Sequence, residues 1–293
     1  RVQGAPPRRG SKCASEEPDG EGPEARDPND VTPAIVERLR KALGDERVVV
    51  DAAVRDSRRH DYWLLAQLDD LKGRPAPAPV CVVRPGGLSD VVTVVNACRE
   101  TRTPLVPFGL GSGVCGAVLT SADAVVLDLG AMNGVRDVDP KNLLATFEAG
   151  VRGSDAEALL SARGLTLGHY PQSIGVSSVG GWIATRAAGQ FSTGYGNVED
   201  VLFALQVVLP NGEVIDTRRT PRASTGPDLR QLFLGSEGTL GVVTQVTFSL
   251  RRSPEKRSLL AFHVSCMDAG FDLQREIVQR GHQPVALRQY DGT

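Results

Sequence analysis

The sequence predicts layered α/β architecture, with helices and strands alternating around a buried sheet. Three observations carry that prediction. Past Pro79, strand-length apolar runs alternate with helix-length apolar stripes. An Asn211-Gly212 pair between two apolar runs is a strong hairpin signal. The chain has 293 residues, 41% of them hydrophobic, which is enough for one large or two moderate cores.

Taken in order, residues 1–30 are rich in Pro, Gly, Glu and Arg and poor in large apolar side chains, the composition of a flexible tail. Thr32 is then placed to cap a helix with Pro33 in its first turn. Ile35, Val36, Leu39 and Leu43 keep helical spacing until Gly44. Val48 to Val50 reads as a short strand. Asp56 to Pro79 ends in a Pro-Ala-Pro-Ala-Pro run and reads as an extended connector. A β-α-β unit follows: Val80 to Val83, a helix capped by Ser89, and Leu105 to Phe108. Further strands are predicted at Ala124 to Leu129, Val135 to Val138 and Leu143 to Glu148, then a helix from Ser154 to Gly164. Val201 to Leu209 and Glu213 to Thr217 form the predicted hairpin. A helix at Leu229 to Leu234 and a strand ending at Leu250 come next. The last stretch reads as strand Leu259 to Val264, helix Ala269 to Arg280 and strand Val285 to Tyr290, the opening of a second domain. The expected units are therefore 1–30, 31–79, 80–252 and 253–293.

Composition narrows the function. With 33 basic and 35 acidic side chains the net charge is −2, so nothing global favours nucleic acid or a charged membrane surface. No apolar run reaches the roughly 20 residues of a spanning helix, and no signal-peptide core is visible, so an intracellular protein is expected. The cysteines Cys13, Cys81, Cys98, Cys115 and Cys266 are scattered and lack paired spacing, which argues against a disulfide framework or a zinc site. The chain starts at Arg1 and stops at Thr293 soon after a strand-like run, as a fragment or processed product would.

Three segments carry the chemistry. Pro171 to Gly189 combines glycines with Ser173, Ser177, Ser178 and Thr185, which permits close backbone approach and short donors around a bulky polar ligand. Gly111-Ser112-Gly113-Val114-Cys115-Gly116 satisfies G-x-G-x-x-G after a strand. However, Ala117 to Asp123 is too short for the crossover helix of a dinucleotide fold, which needs at least about 10 residues. A glycine loop whose amides nest an anion such as pyrophosphate remains. Gly235-Ser236-Glu237-Gly238-Thr239-Leu240-Gly241 is a second polar, close-approach turn. A long bent ligand with a phosphate, a sugar and an aromatic ring would join all three.

From about Asp51 onward the chain resembles the FAD-binding oxidases and transferases of the vanillyl-alcohol oxidase superfamily. The resemblance is strongest to the alkyldihydroxyacetonephosphate synthases, with the D-lactate dehydrogenases and glycolate oxidase subunits next. It rests on Ser178-Val179-Gly180-Gly181-Trp182-Ile183-Ala184-Thr185-Arg186-Ala187, Tyr195-Gly196-Asn197-Val198-Glu199-Asp200, Ser224-Thr225-Gly226-Pro227-Asp228 and the Gly235 to Gly241 turn. Arg186 stands where the lactate branch usually has Asn. Leu110 stands in place of a third glycine of the synthases, Gln172 in place of an Asp, and Gly113 in place of a Ser, the last being more like the lactate branch.

The resemblance implies a PCMH-type FAD-binding fold of two α/β subdomains followed by the start of a cap. It implies that Phe108, Gly109, Leu110, Gly111, Ser112, Gly113 and Val114 wrap the FAD pyrophosphate. Gln172, Ser173, Ile174, Gly175, Val176, Ser177 and Ser178 would run beside the flavin. Thr185, Arg186, Ala187 and Ala188, with Ser236, Glu237, Gly238, Thr239, Leu240, Gly241 and Val242, would complete the site. His169 matches a histidine of the synthase pattern, suited to moving a proton near neutral pH. Arg288 aligns with an arginine that matters for activity, suited to a carboxylate or phosphate substrate. His60, His263 and His282 have no supporting neighbours. The implied activity exchanges the acyl group of an acyl dihydroxyacetone phosphate for a fatty alcohol. The alternatives are oxidation of a D-2-hydroxy acid, or an FAD-binding module without turnover. The expected setting is a cytoplasmic homo-oligomer whose membrane contact, if any, is peripheral, or a peroxisomal protein if it is a eukaryotic ether-lipid enzyme.

Overall fold

The computed structural model describes residues 28–221 and 224–291, with side chains from residue 34 onward. The expected tail lies outside the described residues up to residue 27. Residues 28–30 already belong to a helix, α1 (Pro28–Leu43). That helix begins before Thr32, which therefore is not its cap; Pro28 takes up the first turn, where a missing amide proton costs nothing.

The remaining elements follow in order as β1 (Val48–Val49), α2 (Ala52–Asp56), α3 (Leu64–Leu71), β2 (Cys81–Val83), α4 (Leu88–Thr101), β3 (Leu105–Phe108) and β4 (Val125–Asp128). Then come β5 (Val135–Asp139), β6 (Leu144–Glu148), α5 (Gly153–Ser161), β7 (Leu165–Thr166), α6 (Val179–Ala184), α7 (Ser192–Tyr195) and α8 (Val198–Val201). The chain continues through β8 (Leu202–Val208), β9 (Val214–Asp216), α9 (Leu229–Phe233), β10 (Val242–Ser249), β11 (Arg251–Arg252) and α10 (Met267–Gln279).

One sheet has the order β1-β2-β4-β3, with β2, β4 and β3 parallel and β1 antiparallel at the edge. The crossover β2-α4-β3 leaves a slot that β4 fills from the far side of the glycine loop. Side-chain alternation divides this sheet cleanly. Cys81, Val83, Val125 and Leu127 enter the main core, while Val82, Val126 and Phe108 form a smaller cluster on the opposite face. The second sheet, β5-β6-β10-β8-β9, is antiparallel throughout. Its central strand β10 pairs Val246 with Phe147 and Leu205, and all three are buried in the same core. A buried Thr146–Thr247 hydroxyl pair at 2.9 Å bridges β6 and β10. The two sheets meet where the turn after β4 rests on Gly150, whose amide donates to Met132 O at 2.9 Å.

Several expected elements differ. The connector after Asp56 contains α3, because Leu64, Leu68 and Leu71 carry helical spacing into a stretch that ends only at Gly73. Ser89 and Ser154 lie inside the first turns of α4 and α5, whose cap positions fall to Gly87 and Arg152. Helix α5 stops at Ser161 before Gly164. Leu259 to Val264 and Val285 to Tyr290 are irregular rather than strands. A strand exists only beside a hydrogen-bonding edge, and among the described residues none flanks either segment. Leu259 is 99% exposed. Gln289 instead ties the second segment to α10, donating to Met267 O at 2.9 Å.

Candidate cofactor cavity between the two sheets

A cavity of about 310 Å³ opens between the end of β3 and helix α6. Strand β3 runs out at Phe108 into the glycine loop, and every residue from Phe108 to Val114 lines the cavity. Gly109 sits so close to the head of α6 that a Cβ there would lie 2.6 Å from Ser178 Oγ. Gly111 takes a φ of +69°, which an L side chain rarely adopts. Among the described residues, no acceptor takes the amides of Leu110, Gly111, Ser112, Gly113 or Val114. These donors are left to whatever occupies the cavity.

Helix α6 forms the opposite wall. Ser178 caps it by accepting from Gly181 N at 3.2 Å, and its first two residues are held by Val179 N to Val151 O and Gly180 N to Ala149 O, both 2.9 Å. Trp182 is 1% exposed and donates its indole N–H to Ser177 Oγ at 2.8 Å, which fixes the ring against the cavity. The turn Ser236 to Gly241 is stitched to the end of α6 by Gly235 N to Ile183 O at 2.9 Å and Glu237 N to Ala184 O at 2.8 Å. Arg186 and Glu237, both non-glycine, adopt φ values of +49° and +50° on the two sides of this seam. Backbone strain concentrated in this way is common at functional sites.

Of the residues implied by the resemblance, the cavity brings together the whole run from Phe108 to Val114 with Ser173, Ser177, Ser178, Thr185, Ala187, Ser236, Glu237, Gly238 and Gly241. Gln172, Ile174, Gly175, Val176, Ala188, Thr239, Leu240 and Val242 stand on the same segments without lining it. Arg186 turns away and pairs with Glu199 at 3.3 Å. Arg288 is exposed on the irregular segment beside α10 and is not among the lining residues.

His169 lies behind the wall. It is 1% exposed and meets Trp182 edge-on, with ring centroids 4.8 Å apart at 71°. Among the described residues, neither ring nitrogen has a hydrogen-bond partner, nor does Glu199 Oε2. Burial pushes the imidazole down to about 4, against the opposing pull of Glu199. The cavity is also lined by Asp61, Pro107, Cys115, Ala117, Val118, Leu129, Ala149, Gly180, Gly181, Trp182, Ala184 and Val243, none of them among the site residues the resemblance implies. Gly180, Gly181 and Trp182 were legible as part of the α6 motif. Asp61 had no local signal, because the loop amide it holds, Gly116 N, lies more than fifty residues further along.

Residues 79–218 match the FAD binding domain family. The chain is 35% identical over 261 residues to the uncharacterized FAD-linked oxidoreductase YgcU of Escherichia coli (strain K12), a match covering 88% of this chain and 54% of that protein. It is 33% identical over 245 residues to the alkyldihydroxyacetonephosphate synthase of Caenorhabditis elegans, covering 82% of this chain and 41% of that protein. To the glycolate oxidase subunit GlcD of Bacillus subtilis (strain 168) it is 34% identical over 215 residues, covering 73% and 46%. The chain thus spans about half the length of the curated relatives it matches. Among solved structures, an alkyldihydroxyacetonephosphate synthase superposes with a TM-score of 0.71 at 28% identity, over 76% of this chain and 41% of that one. A p-cresol methylhydroxylase shares the fold, with a TM-score of 0.65 at 24% identity over 77% and 44%.

Proposed function

We propose, from the premise that residues 79–218 belong to the FAD binding domain family, that the cavity between the two sheets holds FAD in an enzyme that exchanges the acyl group of an acyl dihydroxyacetone phosphate for a fatty alcohol. One observation carries the FAD site: three glycine and hydroxyl segments far apart in sequence line a single cavity. The residues present suit that cofactor. Unpaired amides from Leu110 to Val114 offer donors to a pyrophosphate, and the close approach of Gly109 to Ser178 leaves backbone rather than side chain facing it. Phe108, Leu129, Trp182 and Val243 supply apolar wall for a planar ring, while Ser173, Ser177 and Thr185 supply short polar groups around it.

When bound, FAD supplies the electron-accepting ring that no side chain provides. The protein's part is to hold and orient it. Ser177 fixes the Trp182 ring through the indole N–H, and the Ser236 to Gly241 turn braces the end of α6. His169, neutral at ordinary pH, supports Trp182 from behind, so its role in this reading is positioning. Arg186 ties the end of α6 to α8 through Glu199.

The choice of reaction rests on the likeness to the synthase of Caenorhabditis elegans and on Arg186. A second reading, oxidation of a D-2-hydroxy acid, is favoured by Gly113 and by the likeness to GlcD. Flavin-loaded protein separates them. Under the synthase reading, D-lactate and glycolate leave the visible flavin band unchanged, and an acyl dihydroxyacetone phosphate with a fatty alcohol releases fatty acid. Bleaching by either hydroxy acid would overturn that reading in favour of the dehydrogenase. FAD retention with neither response would indicate a binding module without turnover.

A further inference from the structure

Between α2 and α3, outside the matched FAD domain, the segment His60 to Trp63 grips the glycine loop at several points. Asp61 is 5% exposed and lines the cavity. Its Oδ1 accepts from Trp63 N at 3.0 Å and its Oδ2 accepts from Gly116 N at 3.1 Å. Tyr62 N donates to Gly113 O at 2.8 Å. Two glycines of the loop are shaped to this grip: a Cβ at Gly113 would lie 2.6 Å from Asp61 Oδ2, and one at Gly116 would lie 2.7 Å from the Trp63 ring. Thr120 adds a third tie, donating its amide to Arg59 O at 3.0 Å.

From these contacts we infer that Asp61 is a positioning residue for the cofactor: it holds the second half of the glycine loop in its open, amide-presenting shape before any ligand arrives. The inference rests on the FAD reading of the cavity. Its physical basis is preorganisation. The amides from Leu110 to Val114 point at the ligand only while the loop is pinned at Gly113 and Gly116, and a loop free to collapse would satisfy them internally. A carboxylate is suited to the task because, ionised, it accepts two backbone N–H donors at once, whereas an amide side chain accepts with only one of its two heads.

Two readouts test the inference in Asp61→Asn and Asp61→Ala. The first is hydrogen exchange of the Trp63 and Gly116 amides, both donated to Asp61, in protein stripped of FAD; it should quicken about tenfold or more while exchange in β6 and β10 stays unchanged. The second is the FAD dissociation constant by flavin fluorescence, which should rise by a similar factor. A residue needed only for general stability would quicken exchange throughout the core. Unaltered loop exchange together with unaltered FAD affinity overturns the inference. If neither variant folds, Gly113→Ala carries the test, because its methyl group intrudes on the carboxylate; the same two changes are expected. Parent protein that takes up no FAD would count against the functional reading, and loop exchange in the apoprotein would still decide the clamp.

Discussion

His169 and Trp182 show how a single buried contact sets a pH response. The folded imidazole releases its proton only near pH 4, because burial disfavours the charged form, while the unfolded chain titrates near the ordinary value of 6.5. Between those values the unfolded state binds more protons. Stability therefore falls as the pH drops through the window and levels off below it. The full swing is about 3 kcal/mol. Replacing His169 with Phe keeps an edge against Trp182 and removes the titration. Urea unfolding of His169→Phe is expected to show a shallower loss of stability between pH 6.5 and 4 than the parent protein. An identical slope in the two would rule out His169 as its source. By contrast, Cys81 and Cys98 are pushed up to about 12 by burial and belong to the inert core.

At the scale of elements, α6 has little room to move. A Cβ on Gly180 would approach Ala149 O to 2.9 Å and Ala149 Cβ to 2.6 Å, so the helix lies nearly against the backbone after β6. Gly180→Ala should force α6 outward at a cost of about 2 kcal/mol, read as a lowered denaturant midpoint with an unchanged slope. No change in midpoint would mean the helix has slack. The same element explains what was legible beforehand. Strands β2, β4, β6, β8 and β10 are short apolar runs bounded by turn residues, and the Asn211-Gly212 turn joins β8 to β9, so local pattern sufficed for them. The glycine loop and the head of α6 were legible because close approach demands Gly and Ser at fixed places. Helix α3 was obscured by the proline run that follows it. Leu259 to Val264 carries β-favouring side chains but has no edge to join, a tertiary condition that composition does not encode. Asp61 was invisible for the same reason, since its meaning comes from Gly113 and Gly116 folding onto it.

Across the whole molecule, one continuous core links the parallel sheet to the antiparallel one, and the cavity occupies their seam. Each sheet supplies one wall: the parallel sheet gives the glycine loop, and the antiparallel sheet carries α6 and the turn before β10. Neither wall alone encloses a ligand. Among the described residues no helix is long and apolar enough to cross a membrane. The match to the FAD binding domain family reaches only residue 218, yet the Ser236 to Gly241 turn beyond it and Asp61 before it line the same cavity.

The most direct measurement is an FAD titration of purified apoprotein, followed by flavin fluorescence and by co-elution of the visible band on gel filtration, with Gly109→Val alongside. The parent protein should take up one equivalent of FAD. Gly109→Val, whose side chain is driven into Ser178 Oγ, should remain folded and bind at least about tenfold more weakly. Failure of the parent to retain any flavin, or equal uptake by Gly109→Val, would contradict the placement of FAD between the glycine loop and α6.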